Sequence, residues 1–211
     1  MSKASPEPER MFMDDPNIKW RTKRPDFSKV NKKYLEGKTR SHPKGSLEET
    51  VENLVKTFEM EASHKIDPKD WGSVDPDKFE LCTNGGKTYT LADVIEKGTY
   101  NLFLDENPLY TAQETSFEQS MDLFKGCFTD GFAWELLDLY GALPVLTFTW
   151  RHWSNYTGPY RSHPPTGETL EVYGSAIVTV DEHLRITRLE MYFDFTPMLS
   201  KLNHVKCPLF K

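Results

Sequence analysis

"TLEVYGSAIVTVDEHLRITRLEMYFDF", residues 169–195, decides the fold. Two runs of alternating character, 169–180 and 184–195, flank the turn-forming "DEH". Such a pattern is that of paired antiparallel strands, because successive side chains on a strand point to opposite faces. In the first run Val172, Gly174, Ala176, Val178 and Val180 alternate with Glu171, Tyr173, Ser175, Ile177 and Thr179. In the second, Arg188, Glu190, Tyr192 and Asp194 alternate with Leu189, Met191, Phe193 and Phe195. Gly174 and Ala176 are small enough to let a ligand or a helix approach the sheet closely, and core packing alone also explains them.

Two further strands are expected upstream, at 132–140 ("FAWELLDLY") and 145–153 ("VLTFTWRHW"), joined by "GALP". In the first, Trp134, Leu137 and Leu139 could also serve a helix, and its place directly before a compact turn and further strand candidates favours a strand. A Gly/Pro-rich loop from Asn155 to Gly167 leads on to residue 169. Within 145–153 large aromatics fall in both alternating sets, Trp153 in one and Phe148 and Trp150 in the other. A strand with bulky rings on both sides needs two burial surfaces, so one face is expected to meet a second copy of the chain or the amino-terminal arm.

Before residue 130 the period is helical. Leu47, Val51, Leu54, Val55, Phe58 and Ala62 recur at helix spacing behind Ser46 and Glu49, the pattern of a capping box, and predict a helix over about 46–63. "NGG" at 84–86 marks a hairpin, "TLADVIEKG" a short helix ending at Gly98, and "SFEQSMDLFKGCF" another. Helices first and a meander afterwards describe an α+β chain, whose helix stripes and sheet face are buried together when the sheet curls around the helices. Residues 1–45, rich in Pro and charge with scattered aromatics, are expected to be an irregular arm, 46–205 the domain, and 206–211 a tail.

Composition excludes several classes. With 26 basic against 32 acidic residues the chain carries a net charge of −6, without the concentrated positive footprint that nucleic-acid binding requires. No apolar run approaches the roughly 20 residues that span a bilayer, and the first residues lack a secretory pattern. Cys82, Cys127 and Cys207 are far apart, which fits a reducing compartment and a cytoplasmic protein. The six histidines fall in no metal-ligand spacing, and no dinucleotide, phosphate-loop or nucleophile-elbow motif is present. Neither metal nor cofactor is expected.

Acid–base chemistry in a pocket needs a group that titrates near working pH. His152, between Arg151 and Trp153 and two residues from Trp150, is one candidate; Asp194, at the end of an apolar strand beside Tyr192, is the other. Each has a structural alternative. His152 also suits a hydrogen-bonded core position, and Asp194 an exposed turn into the last segment, with the 188–194 polar set facing solvent.

"HWSNYTG…PPTGETLEVYGSAIVTVDEHLRITRLEMYFD" resembles the carboxy-terminal half of the SnoaL-like polyketide cyclase branch of the nuclear-transport-factor-2-like (NTF2-like) superfamily. From Tyr34 onward, including "YLEGKTRSHPKGSLEETVENLVKTFEMEASHK" and "GFAWELLDLYGALPVLTFTWRHW", the chain is similar to the plant and fungal pathogen-related proteins assigned to that superfamily. The resemblance implies a conical, curved antiparallel sheet with helices enclosing a hydrophobic pocket, and a homodimer through the outer sheet face. It also implies a cofactor-independent cyclase or isomerase, with His152 and Asp194 as catalytic residues. Trp150, Tyr173, Glu190 and Tyr192 would then contact a small hydrophobic polyketide- or terpenoid-like substrate, and a pericyclic reaction would leave the polar groups only to orient it. The alternative reading is a non-catalytic binder of a hydrophobic defence or signalling metabolite. Under either reading Trp150 and His152 are expected to share one hollow with Tyr192 and Asp194, while Arg151 and Trp153 face the arm or a partner.

Overall fold

A computed structural model describes residues 7–205; the expected 206–211 tail, with Cys207, lies outside the described residues. Among the described residues the sheet has six strands: β1 (Glu80–Thr83), β2 (Thr88–Thr90), β3 (Ala133–Ala142), β4 (Val145–Asn155), β5 (Thr169–Val180) and β6 (Ile186–Phe193). Their order is β2-β1-β6-β5-β4-β3. The sheet is curved and unclosed. The four long strands form the expected antiparallel meander, and β1 joins β6 in parallel, Leu81 opposite Leu189. Sequence order hides that pairing, because more than ninety residues lie between the two strands.

The described residues form six α-helices: α1 (Ser28–Gly37), α2 (Leu47–His64), α3 (Leu91–Lys97), α4 (Thr99–Leu104), α5 (Phe117–Cys127) and α6 (Thr196–Leu202). α2 begins where Ser46 accepts the Glu49 amide at 3.2 Å. The return half of the box is displaced by one residue, since Glu49 accepts from Gly45 N at 2.6 Å. Its stripe of Val51, Leu54, Phe58 and Ala62 is buried. α3 and α5 open on complete capping boxes, Thr90 with Asp93 and Ser116 with Gln119.

The arm is more ordered than its composition suggests. It contains α1, whose Tyr34 packs against Trp153 with ring centroids 6.5 Å apart. Arg151 donates to the Gly37 carbonyl at 3.0 Å and pairs with Glu135 at 2.9 Å. Glu135 in turn accepts from the amides of Thr39 and Arg40. Arg151 and Trp153 therefore face the arm, as alternation predicts. The arm supplies the second burial surface that β4 requires, which removes the aromatic argument for a partner at this end of the strand. A polar hub pins the arm's earlier part to α2: buried Lys65 donates to Glu61 at 2.9 Å and to the carbonyls of Phe12 and Asp70 at 2.6 Å each.

Candidate active site

Pairing across the sheet determines which residues point inward. Trp150 lies opposite Gly174, and Gly174 opposite Phe193. Phe148 lies opposite Ala176, and Ala176 opposite Met191. Side chains that are directly opposite share a face. The inward set is thus Phe148, Trp150 and His152 on β4 with Leu189, Met191 and Phe193 on β6. Gly174 is required by the indole of Trp150, because a Cβ there would stand 2.3 Å from its ring. The space left by small residues on β5 is filled at this point by Trp150.

Between this face, α2, α4, α5 and the arm lies a half-enclosed cavity of about 560 Å³, within the range of small-molecule sites. Its interior wall is apolar, formed by buried Phe58, Phe124, Trp134, Phe148, Trp150 and Leu189. Its exposed lining residues, Thr22, Lys23, Asp26 and Lys29 from the arm and Lys125 and Thr129 near the end of α5, form the rim.

Polar groups inside the cavity are few. His152 stacks on Phe132 at 3.7 Å, and its Nδ1 is 2.8 Å from the Ala133 carbonyl oxygen. A carbonyl only accepts, so Nδ1 carries the proton and Nε2 is bare. Burial drives the imidazole pKa down to about 3, against the raising effect of the Ala133 bond. His152 is therefore neutral near pH 7. Its Nε2 lies 3.6 Å from Oε1 of Glu59 on α2, beyond hydrogen-bond length and close enough for a ligand atom to engage both groups.

Glu59 is the residue that sequence reasoning missed. Its side chain retains 38% accessibility, yet burial pushes its pKa up to about 7, opposed by Arg10 and Lys56. Glu59 lines the apolar cavity. The available signal was helical phase: Glu59 follows Val55 by four residues and precedes Ala62 by three, inside the buried stripe. Arg10, seated 3.9 Å over the Phe27 ring and donating to Asn31 at 2.8 Å, lowers the Glu59 pKa from the arm side. His64 also lines the cavity, its pKa lowered to about 4 by burial and by Lys125 and Arg10.

The structure brings together only part of the expected site. His152 and Trp150 line the cavity; Tyr173, Glu190, Tyr192 and Asp194 do not. Tyr192 and Tyr173 are exposed on the opposite face, where their hydroxyls donate to Glu190 and Glu171 at 3.0 and 3.1 Å. Glu190 also accepts from Arg188 at 2.8 Å. Asp194 is exposed and accepts from Thr196 N at 2.8 Å, shaping the turn into α6. The expected shared hollow is corrected: the inward face of β6 is its apolar set, and Asp194 lies outside the cavity. Among the described residues no group of three or more His, Cys, Asp or Glu is placed to hold a metal, and no helix is long and apolar enough to cross a membrane.

No protein-family profile matches the chain. A pathogen-related protein of Hordeum vulgare is 36% identical to it over 177 residues, 81% of this chain and 75% of that one. The chain belongs to the pathogen-related protein family. Among solved structures it is similar to a protein from Jannaschia sp. CCS1 assigned to the SnoaL-like polyketide cyclases, with TM-score 0.40 and 12% identity over 81% of this chain and 100% of that one. It is also similar to an NTF2-like protein from Burkholderia thailandensis, with TM-score 0.35 and 19% identity over 65% and 85% of the two chains.

Proposed function

We propose that this protein is a cofactor-independent cyclase or isomerase acting on a small hydrophobic natural product of polyketide or terpenoid type, with Glu59 as its proton-transfer group. The observation that carries the reading is a carboxyl whose pKa is pushed up to about 7 beside the neutral His152 in an apolar cavity. Two adjacent groups whose pKa values are driven in opposite directions are the mark of acid–base assignment.

Glu59 in its neutral form gives a proton to a developing enolate oxygen or carbon of the substrate. The carboxylate then takes a proton from the carbon that must lose one, so substrate mass and enzyme state are unchanged over the cycle. His152, with its pKa near 3, is a weak base and serves through Nε2 as a fixed acceptor that positions Glu59 or a substrate hydroxyl. The aromatic wall folds a flexible chain into its reacting shape, a source of about 7–11 kcal/mol in favourable cases. The test is incubation with linear polyketide and polyene terpenoid precursors, analysed by liquid chromatography and mass spectrometry. A new product of unchanged mass is expected. Tight binding without conversion throughout the panel would replace the enzyme reading with the carrier one.

A homodimer belongs to the same proposal. Beyond the arm's cover, the outer sheet face exposes Tyr140, Val145, Tyr173 and Tyr192, the kind of apolar surface that marks a contact. Light scattering is expected to return about twice 24.5 kDa; a mass of 24.5 kDa at tens of micromolar would remove the dimer.

A further inference from the structure

The charge of the cavity runs against the charge of the chain. The protein carries a net −6, yet four cations line the cavity, Arg10, Lys23, Lys29 and Lys125, against two acids, Asp26 and Glu59. The acids offset only part of that charge: Asp26, whose carboxylate accepts from the Ser28 amide at 2.9 Å, acts on Lys23 and Lys29, and Glu59 acts on Arg10, so cations remain in excess. None of the four cations has a carboxylate partner within 4.0 Å among the described residues, whereas arm residues Lys19, Arg21, Arg24 and Lys32 all do.

Arg10 is the best placed of them. Its guanidinium carbon stands 3.9 Å over the Phe27 ring, one nitrogen donates to Asn31, and no carboxylate among the described residues lies within 4.0 Å of it. Burial lowers its pKa to about 10, which leaves it charged. A desolvated guanidinium beside an apolar hollow gains most from an anion that brings its own apolar body. Lys125, on α5, lines the same cavity as Arg10.

We infer that the cavity takes an amphipathic carboxylic acid, its apolar body among the aromatic wall residues and its carboxylate on Arg10 with Lys125. This rests on the cavity being the ligand site of the proposed function, and it adds the class of head group. The arm, which supplies Arg10, is then part of the binding site and more than a cover for the sheet.

The experiment titrates the full-length protein with decanoate, decan-1-ol and decylammonium, and with biphenyl-4-acetate against biphenyl-4-ethanol. Quenching of the cavity tryptophans Trp134 and Trp150 reports binding. In each tail series the carboxylate is expected to bind about tenfold or more tighter than its alcohol, the scale of one charge-assisted contact, and the ammonium weakest. Arg10→Met is expected to abolish the difference in affinity between each carboxylate and its alcohol. Lys125→Gln, on the exposed side of α5, is expected to reduce the preference partly. Equal or tighter binding of the alcohol or the ammonium overturns the inference, as does failure of both carboxylates to bind, or a carboxylate preference that survives both substitutions. Carboxylate selectivity with no turnover of any precursor leaves this inference standing and removes the enzyme reading. Turnover of neutral precursors with no carboxylate preference does the reverse.

Discussion

Replacing Glu61 by alanine is expected to remove about 3–5 kcal/mol of stability, the cost of breaking a buried ion pair from one side. Glu61 on α2 and Lys65 at its C-cap are both fully buried, one helical turn apart. The carboxylate accepts from Lys65 Nζ at 2.9 Å, Gly72 N at 2.8 Å, Ser73 N at 3.0 Å and the Ser73 hydroxyl. Lys65 spends its other donors on the carbonyls of Phe12 and Asp70. Deleting Glu61 therefore strands a buried ammonium and two backbone N–H groups together. The double variant Glu61→Leu/Lys65→Met removes the charge problem and leaves only neutral groups without these partners, the two amides, the Ser73 hydroxyl and the Phe12 and Asp70 carbonyls, so it is expected to be more stable than Glu61→Ala. Urea unfolding measures both. A loss below about 1 kcal/mol for Glu61→Ala would show that the hub does not hold α2, the 70–73 segment and the arm together.

Glu59→Gln is expected to lower turnover of any converted precursor by about 10²–10⁴-fold, the range of general acid–base catalysis, with the fold retained. Gln keeps the size and polarity of a neutral carboxylic acid but cannot release a proton. His152→Gln preserves an acceptor and is expected to cost less. Stability should move the other way for Glu59. Its native pKa of about 7 lies above that of an unfolded glutamate, so between about pH 4.5 and 7 the native state holds a proton that the unfolded chain has released. By linkage, its contribution is present below that window and is lost as pH rises through it. Glu59→Gln should gain stability relative to wild type as pH increases from 5 to 8. His152 and His64, with native values near 3 and 4, bind fewer protons folded than unfolded up to about pH 6.5, so their contribution grows with pH across that range. A variant that loses turnover and stability in parallel at every pH would mark Glu59 as structural.

Much of the architecture was legible because it is written in local period. The four long strands, α2, α3, α5 and the 84–86 turn follow from alternation, helical stripes and caps within a single segment. α1 escaped because only Asn31 and Tyr34 of its ten residues are buried; its stripe is too thin to read, and its order comes from Trp153 and Lys56, far away in sequence. The site was half legible for a related reason. Alternation sorts β6 into an apolar and a polar set, but which set faces inward is decided by Trp150 lying opposite Gly174 and Phe193. The polar set of Tyr192 and Asp194 has the composition of a site and the position of a surface. Glu59 went unnoticed because a single glutamate in a helix is ordinary until its phase within the buried stripe is considered.

The central claim is that a carboxyl stands in this cavity with its proton retained near neutral pH. The most direct measurement is a carbon-13 NMR titration of the glutamate side-chain carboxyls, with Glu59 assigned by difference against Glu59→Gln. A midpoint near pH 7 is the predicted result. A midpoint near 4.3, that of a water-exposed glutamate, would contradict the account.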